Sequence, residues 1–250
     1  MLQASNITKT YNAGKKTALD DFSITVPTGS IYGLLGPNGA GKTSFIRIIN
    51  QITQADRGEI LIKGEKLNPN HIRDIGYMPE ERGLYKNMNV GDQILYFAEL
   101  KGMKRSDALA EAKIWFEKLH IDQWWKKKLS ELSKGMAQKI QFVVTVLHKP
   151  SLLILDEPFS GFDPVNANLI KDQILELKQN GTTIILSTHR MESVEQMCDY
   201  VALIDHAKKI IDGRVFDVRE QYKKNIFGVT LSEVDEAKFD LFKSKYEIFN

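Results

Sequence analysis

The sequence predicts an α/β fold in which a mostly parallel sheet carries helices on its faces. From Leu152 to Ile204, short apolar runs typical of buried strands alternate with segments whose apolar residues recur at helical spacing. Earlier in the chain, the glycine-rich loop Gly36–Thr43 lies between an apolar run and another segment with helical spacing. Strands that alternate with helices in this way usually pair in parallel, because each helix crosses back over the sheet.

Strands dominate the first part of the chain. The apolar run at Phe22–Val26 ends at Pro27 and Gly29, which together favour a turn. After the glycine-rich loop, apolar residues at helical spacing predict a helix over Thr43–Asn50. We expect strands at Leu2–Lys9, Phe22–Val26, Ser30–Leu35, Gly58–Lys63 and Ile75–Met78, with a turn-rich stretch over Lys66–Asn70.

The middle of the chain is rich in predicted helices. Ser106 is a candidate N-cap for the second of them, and Pro150 follows the third. Beyond about Asp217 the pattern changes, and Asn225–Asn250 suggests a strand, a helix and a strand. We expect helices at Val90–Leu100, Ala108–Leu119, Met136–His148, Ala167–Gln179 and Met191–Met197, and further strands at Leu152–Leu155, Thr182–Leu186 and Tyr200–Ile204.

Composition narrows the class of protein. A length of 250 residues suits one large domain, or one domain with an appendage, and the net charge of +2 gives no argument for nucleic acid as a partner. Cys198 is the single cysteine, so an intrachain disulfide and a cysteine metal cluster are excluded. We expect no signal peptide at the start, and no apolar run approaches the ~20 residues that a membrane-spanning helix needs.

The glycine-rich loop has the composition of a phosphate site. Its sequence follows the pattern G-x-x-x-x-G-K-T, in which glycines let consecutive N–H groups point inward around an anion. The lysine of this pattern reaches the outer phosphates, and the threonine hydroxyl is placed to hold Mg²⁺. The predicted phosphate-binding residues are Gly36, Pro37, Asn38, Gly39, Ala40, Gly41, Lys42, Thr43 and Ser44.

Polar side chains follow two later strands of the predicted sheet. Asp156 and Glu157 come directly after a buried run, as a metal-binding aspartate and a general base for water would. His189 follows another strand, where an imidazole can contact a terminal phosphate and the attacking water. Asp205 and His206 follow a third strand, and we interpret them as a structural turn.

A second helix start favours anion binding. Ser133 is a good N-cap, and Gly135 leaves backbone N–H groups open in the first turn. Alone, this pattern is typical of any capped helix. Together with the glycine-rich loop it suggests a nucleotide held between two copies of the protein.

With these motifs in order, the chain resembles the nucleotide-binding subunit of an ABC transporter over roughly residues 1–216. Gly36–Thr43 resembles the Walker A motif of that family, and Leu152–Glu157 resembles Walker B with its catalytic glutamate. Leu132–Met136 resembles the signature motif, and Ser160–Asp163 the D-loop. His189 matches the switch histidine. The resemblance also implies that Tyr11 stacks on adenine, because any purine offers a π-face.

Two departures from the family pattern are visible. In the signature, Lys134 and Met136 replace a glycine and a glutamine, while Ser133 and Gly135 keep the residues that contact the γ-phosphate in the family. Glu80 occupies the position of the Q-loop glutamine. A carboxylate there can still coordinate Mg²⁺, but it cannot donate the hydrogen bonds of an amide.

The resemblance implies an ATPase core: a mostly parallel sheet with helices, an N-terminal antiparallel β-subdomain and a helical subdomain at about residues 87–150. Residues 217–250 would begin an accessory unit. Two copies, or one copy and a paralogous subunit, would dimerise head to tail around two MgATP, with Asp163 linking them. An integral membrane permease would be the partner, which places the chain in the cytoplasm on the inner face of the membrane. The segment P-E-E-R-G-L-Y resembles the corresponding segment of subunits that serve ABC-2-type permeases, which are often exporters.

Other functions are compatible with parts of this pattern. A soluble relative acting on ribosomes or DNA is one, although a single Walker A occurs and no heptad array separates Lys42 from Asp156. A regulatory module that binds ATP without hydrolysing it is another, because Glu80 and the signature depart from the family. A P-loop GTPase is disfavoured, since no N-K-x-D motif occurs.

Overall fold

Strands and helices alternate along the chain in a computed structural model, which describes residues 1–12, 14–81 and 83–223. Residues Met1–Val218 form one compact unit. The strands are β1 Leu2–Tyr11, β2 Lys16–Val26, β3 Ile31–Leu35, β4 Arg57–Ile62, β5 Glu65–Lys66, β6 Ile75–Met78, β7 Leu152–Asp156, β8 Thr183–Thr188, β9 Tyr200–Asp205 and β10 Lys208–Arg214. The α-helices are α1 Lys42–Ile49, α2 Val90–Leu100, α3 Arg105–Leu119, α4 Lys134–Val146, α5 Pro164–Gln179, α6 Met191–Met197 and α7 Val215–Tyr222.

The main sheet has six strands in the order β10-β9-β3-β8-β7-β6. Every neighbouring pair is parallel except β10 with β9, so the predicted parallel sheet is confirmed. Its strands are buried on both faces. Leu153 and Ile184 belong to the core beneath the helices, whereas their neighbours Leu152 and Ile185 pack in a second core.

A smaller sheet has the order β2-β1-β4-β5, and all its pairs are antiparallel. This is the antiparallel N-terminal sheet that the resemblance implied. Its inner face covers helix α1 and one face of the main sheet. Phe22 of β2 meets Phe45 of α1 edge to face, with ring centroids 4.9 Å apart, in the centre of this core.

Helices α2, α3 and α4 come between β6 and β7 in the sequence, and they pack together as one layer. Trp115 packs on Phe142 edge to face at 5.7 Å, which joins α3 to α4. Gly91 of α2 lies so close to the indole of Trp125 that a Cβ added there would be 2.3 Å from the ring. Aromatic packing at small residues therefore holds this layer together.

Several details differ from the sequence predictions. Strand β2 begins at Lys16, well before the predicted Phe22, because Lys16 already pairs with Tyr11 across the hairpin. Ser106 does not cap α3: the helix begins at Arg105, and the Ser106 hydroxyl donates to Asp107 within the first turn. Helix α7 was not predicted. The strand, helix and strand predicted over residues 225–250 lie outside the described residues.

The carboxyl ends of four parallel strands meet at one edge of the main sheet. Leu35 at the end of β3 pairs with Thr188 of β8, Asp156 of β7 pairs with Ser187, and Met78 of β6 pairs with Leu155. This register brings together the segments that follow each strand. Within the described ranges, no helix is long and apolar enough to cross a membrane.

A buried polar contact ties the helical layer to the opposite end of β6. The carbonyl of Ile75 accepts hydrogen bonds from Lys101 Nζ at 2.7 Å and from His148 Nε2 at 3.3 Å. Because a carbonyl only accepts, Nε2 carries the proton of a neutral imidazole. Burial, assisted by the nearby Lys101 charge, lowers the pKa of His148 to about 4.

This lowered pKa predicts acid sensitivity. The pKa of His148 is 6.5 in the unfolded chain, its ordinary value, and about 4 in the folded chain. Between these two pH values the unfolded chain binds a proton at His148 and the folded chain does not. The free energy of unfolding therefore falls as the pH falls. This pKa difference corresponds to a loss of at most about 3 kcal/mol in the free energy of unfolding. Chemical denaturation from pH 7 to 4 should show a shallower loss for His148→Gln, which keeps a donor and does not titrate. Parallel pH curves for the two proteins would contradict this assignment.

Candidate nucleotide-binding site

The loop between β3 and α1 is compact because glycine is required at two positions. Gly36 has φ of 152°, and a Cβ there would lie 2.2 Å from the carbonyl oxygen of Ile204. Gly41 has φ of 127°, and a Cβ there would lie 2.2 Å from the carbonyl oxygen of Ala18. The backbone therefore turns tightly between two neighbouring strands before α1 begins at Lys42. The positive end of α1 is open toward this loop.

Lys42 lies inside the loop. Its ammonium group donates to the carbonyls of Gly36 at 2.6 Å and Pro37 at 3.1 Å, and the residue is 6% exposed. Burial lowers the pKa of Lys42, while the negative charges of Glu157 and Asp156 oppose that shift. A buried cation thus lies at the centre of the loop, next to carboxylates.

Asp156 is the last residue of β7 and is almost fully buried. Thr43 Oγ1 donates to Asp156 Oδ2 at 3.4 Å, so the two predicted metal ligands are neighbours. Burial raises the pKa of Asp156, and the charges of Glu80 and Glu157 raise it further. These oxygen atoms suit a hard cation such as Mg²⁺, which usually takes one or two carboxylates together with phosphate oxygens. Among the described residues, no group of three or more His, Cys, Asp or Glu side chains forms a metal cage.

Glu157 and His189 are joined directly. Glu157 Oε1 lies 2.6 Å from His189 Nδ1 and accepts the backbone N–H of His189 at 2.9 Å. Its other oxygen accepts from Thr188 Oγ1 at 3.2 Å. Glu157 also has a φ of 49°, a left-handed conformation that is uncommon for a non-glycine residue. Strain of this kind, together with three donors, fixes one orientation of the carboxylate.

A cavity of about 420 Å³ lies in front of these groups. It extends from the carboxylates, along the glycine-rich loop, to the ring of Tyr11 at the end of β1, and Lys9 Nζ lies 5.4 Å from the centre of that ring. The lining residues are Tyr11, Asn12, Lys16, Ala18, Asn38, Gly39, Gly41, Lys42, Thr43, Ser44, Arg47, Glu80, Asp156 and Glu157.

Four of these lining residues were not predicted from the sequence: Asn12, Lys16, Ala18 and Arg47. Lys16 and Arg47 add two cations near the loop, and their charge and proximity in sequence were the available signal. Asn12 and Ala18 line the cavity only because the β1–β2 hairpin folds over the loop, which sequence spacing does not reveal.

The remaining predicted residues do not line the cavity of a single copy. Gly36, Pro37 and Ala40 belong to the loop itself, and His189 contacts Glu157 without lining the cavity. Ser133 caps α4 by accepting the Met136 N–H at 3.3 Å, as predicted. Asp163 caps α5 by accepting the N–H groups of Val165 and Asn166. Gly135 faces the D-loop, where a Cβ would be 3.7 Å from the Gly161 carbonyl oxygen.

Comparison with known proteins places the chain in a family. Residues 19–160 match the family described as "ABC transporter". The chain is 44% identical over 239 residues to the uncharacterized ABC transporter ATP-binding protein YhaQ of Bacillus subtilis strain 168, covering 96% of this chain and 79% of that protein. It is 34% identical over 211 residues to the Nod factor export ATP-binding protein I of Burkholderia lata, covering 83% and 69%.

A solved structure has the same fold. The ATP-binding subunit of an ABC transporter superposes with a TM-score of 0.82 at 28% identity, covering 89% of this chain and 93% of that one. Fold, motifs and identity therefore agree. The chain belongs to the ABC transporter family, and it is one of the family's ATP-binding subunits, an ATPase.

Proposed function

We propose that this ATPase subunit powers an exporter of the ABC-2 type, as a head-to-tail dimer that closes around two MgATP. The observation that carries the proposal is the Glu157–His189 pair, joined at 2.6 Å beside a cavity that also holds Lys42 and Asp156. The order of a phosphate-binding lysine, a metal-binding aspartate and a general base matches what ATP hydrolysis requires. The name of the Nod factor export relative supports export as the direction.

The chain offers a suitable place for Mg²⁺. Thr43 and Asp156 would hold the ion, and Glu80, which lines the same cavity, would add a carboxylate. The ion would supply positive charge that offsets the negative charge of the phosphates. Tyr11 would stack on the adenine, and Lys42 with the backbone N–H groups of residues 36 and 38–44 would hold the phosphates.

Glu157 is arranged to act as a general base. An ionised carboxylate has about four lone-pair sites, and the three donors from Thr188 and His189 leave one free to accept a proton from water. His189 fixes the direction of that free site and would orient the water toward the γ-phosphate. The pair would therefore position and deprotonate the nucleophile.

The second half of the site would come from the partner copy. Ser133 is exposed, and α4 has no acidic residue in its first turn, so its positive end is available to an anion. Ser133 and Gly135 of one copy would seal the γ-phosphate of the other. Asp163 would lie where the two copies meet.

The membrane partner would dock beside the loop that follows Glu80. Tyr85 and Tyr96 are exposed there, and both rings contact Phe97, at 6.0 and 5.4 Å between centroids. Leu100 continues this patch on α2 and is 61% exposed. An exposed aromatic and aliphatic patch is typical of an interaction surface. Because the patch lies next to Glu80, it would transmit closure of the dimer to a membrane permease that it contacts from the cytoplasmic side.

One prediction from this function concerns Glu157→Gln. Loss of the general base should lower ATP turnover at least about 100-fold, while the ATP-bound dimer accumulates because hydrolysis no longer releases it. Phosphate release and light scattering with MgATP measure the two effects. Glu195→Gln, an exposed change on α6, is the matched control and should behave like wild type. Unchanged hydrolysis in Glu157→Gln would remove Glu157 from its assigned role.

Another prediction concerns the docking patch. Glu157→Gln protein bound to ATP should retain an integral membrane protein from detergent-solubilised native membranes, and adding Tyr96→Ser with Leu100→Ser should cut that yield at least about fivefold. Leu109→Ser removes another exposed leucine, from α3, and serves as the control. Mass spectrometry identifies the captured protein. Equal yields from the patch variant and the control would show that docking occurs elsewhere.

A further inference from the structure

Helix α4 carries three buried polar side chains that donate to backbone carbonyls of other segments. Gln138 Nε2 donates to Pro158 at 3.0 Å, Gln141 Nε2 donates to Pro79 at 2.9 Å, and Lys139 Nζ donates to Leu119 at 3.2 Å. Gln138 and Gln141 are 6% and 4% exposed. Because the acceptors of the two glutamines are carbonyls, each glutamine amide must present its NH₂ group.

The two glutamines reach the residues next to the two carboxylates of the site. Pro158 follows Glu157, and Pro79 precedes Glu80. Gln138 and Gln141 are three residues apart, so they project from the same side of α4. One face of one helix therefore holds the backbone beside both carboxylates, where the neighbouring strands β6 and β7 end.

The same helix begins at the residue that would seal the partner's nucleotide. Ser133 is the N-cap of α4, about one turn before Gln138, and α4 is continuous from Lys134 to Val146. A helix of this length moves as one piece. Any displacement of the loops that carry Glu80 and Glu157 must therefore either move Ser133 or break a buried hydrogen bond.

We propose that Gln138 and Gln141 are positioning residues that couple nucleotide in a copy's own site to the presentation of Ser133 to its partner. This inference rests on the proposed head-to-tail dimer. Neither glutamine lines the cavity, so they would act through Pro158 and Pro79. Their loss should weaken closure of the dimer and leave binding of ATP by the single copy unchanged.

If the two glutamines served packing alone, their substitution would have a different effect on dimer closure. Burying an amide is costly unless it is hydrogen-bonded, and an apolar side chain of similar volume fills the same space without that cost. If the glutamines served packing alone, Gln→Met would leave dimer closure intact. If they serve coupling, Gln138→Met with Gln141→Met removes both donors at nearly constant volume and uncouples the helix from the site.

The test uses the full chain with Glu157→Gln, so that ATP is not consumed. With saturating MgATP, the protein concentration at half-dimerisation, measured by analytical ultracentrifugation, should rise at least about tenfold when both glutamines become methionine, as expected from the loss of buried hydrogen bonds. Affinity of the single copy for a fluorescent ATP analogue should change less than about twofold. Gln173→Met on α5 is the matched control and should alter neither value.

Unchanged dimerisation of the double variant would overturn the coupling, and so would a parallel loss of ATP affinity. Amide hydrogen exchange tests wild type directly, at a concentration where it stays monomeric. MgATP should slow exchange at Ala137 and Gln138 severalfold, and no change there would also overturn the inference. If Glu157→Gln alone stays monomeric at every concentration, the proposed dimer fails, while the exchange result still decides the coupling.

Discussion

The parallel register of β3, β8, β7 and β6 is the constraint on which the site depends. Each strand ends at the same edge of the sheet, and each is followed at once by a segment that carries predicted site residues. A slip of one residue in β7 would turn its side chains to the opposite faces of the sheet, moving Leu153 from one core to the other and taking Asp156 away from Thr43. The apolar side chains on both faces of the sheet prevent that slip, so burial of the core fixes the chemistry at its edge.

The charges at this edge are buried at a cost that only a bound nucleotide would offset fully. Burial lowers the pKa of Lys42 and raises that of Asp156, which means that both side chains lose hydration in the folded chain. Their mutual attraction compensates in part. A phosphate beside Lys42 and a cation beside Asp156 would add the missing partners, so the folded site is electrostatically prepared for MgATP.

The sequence predicted the order and type of most elements because their patterns are local. The helix over Val90–Leu100 and the strand over Ile75–Met78 have the bounds that periodicity indicated. The early start of β2 depends on its pairing with β1, and the missed Lys16 and Arg47 depend on how distant segments meet. The Ser106 cap was wrong because α3 begins at Arg105, three residues before the predicted start, and local propensity does not set that boundary.

Motif spacing identified the chemistry at this sheet edge, whereas contacts at helix α4 show how its parts are held. Nothing in the sequence marked Gln138 or Gln141, because a glutamine in a helix is usually solvated. Their significance is visible only when Pro79 and Pro158 are seen to lie against the same face of α4.

The central claim is that each ATP site is shared between two copies, and complementation tests it most directly. Lys42→Ala damages the phosphate loop, and Ser133→Arg damages the surface offered to the partner, so each variant alone should be inactive. A mixed dimer of the two has one site with both halves intact, and mixing them should restore ATP turnover. Full activity of Ser133→Arg alone, or a mixture no more active than its two components, would contradict the shared site.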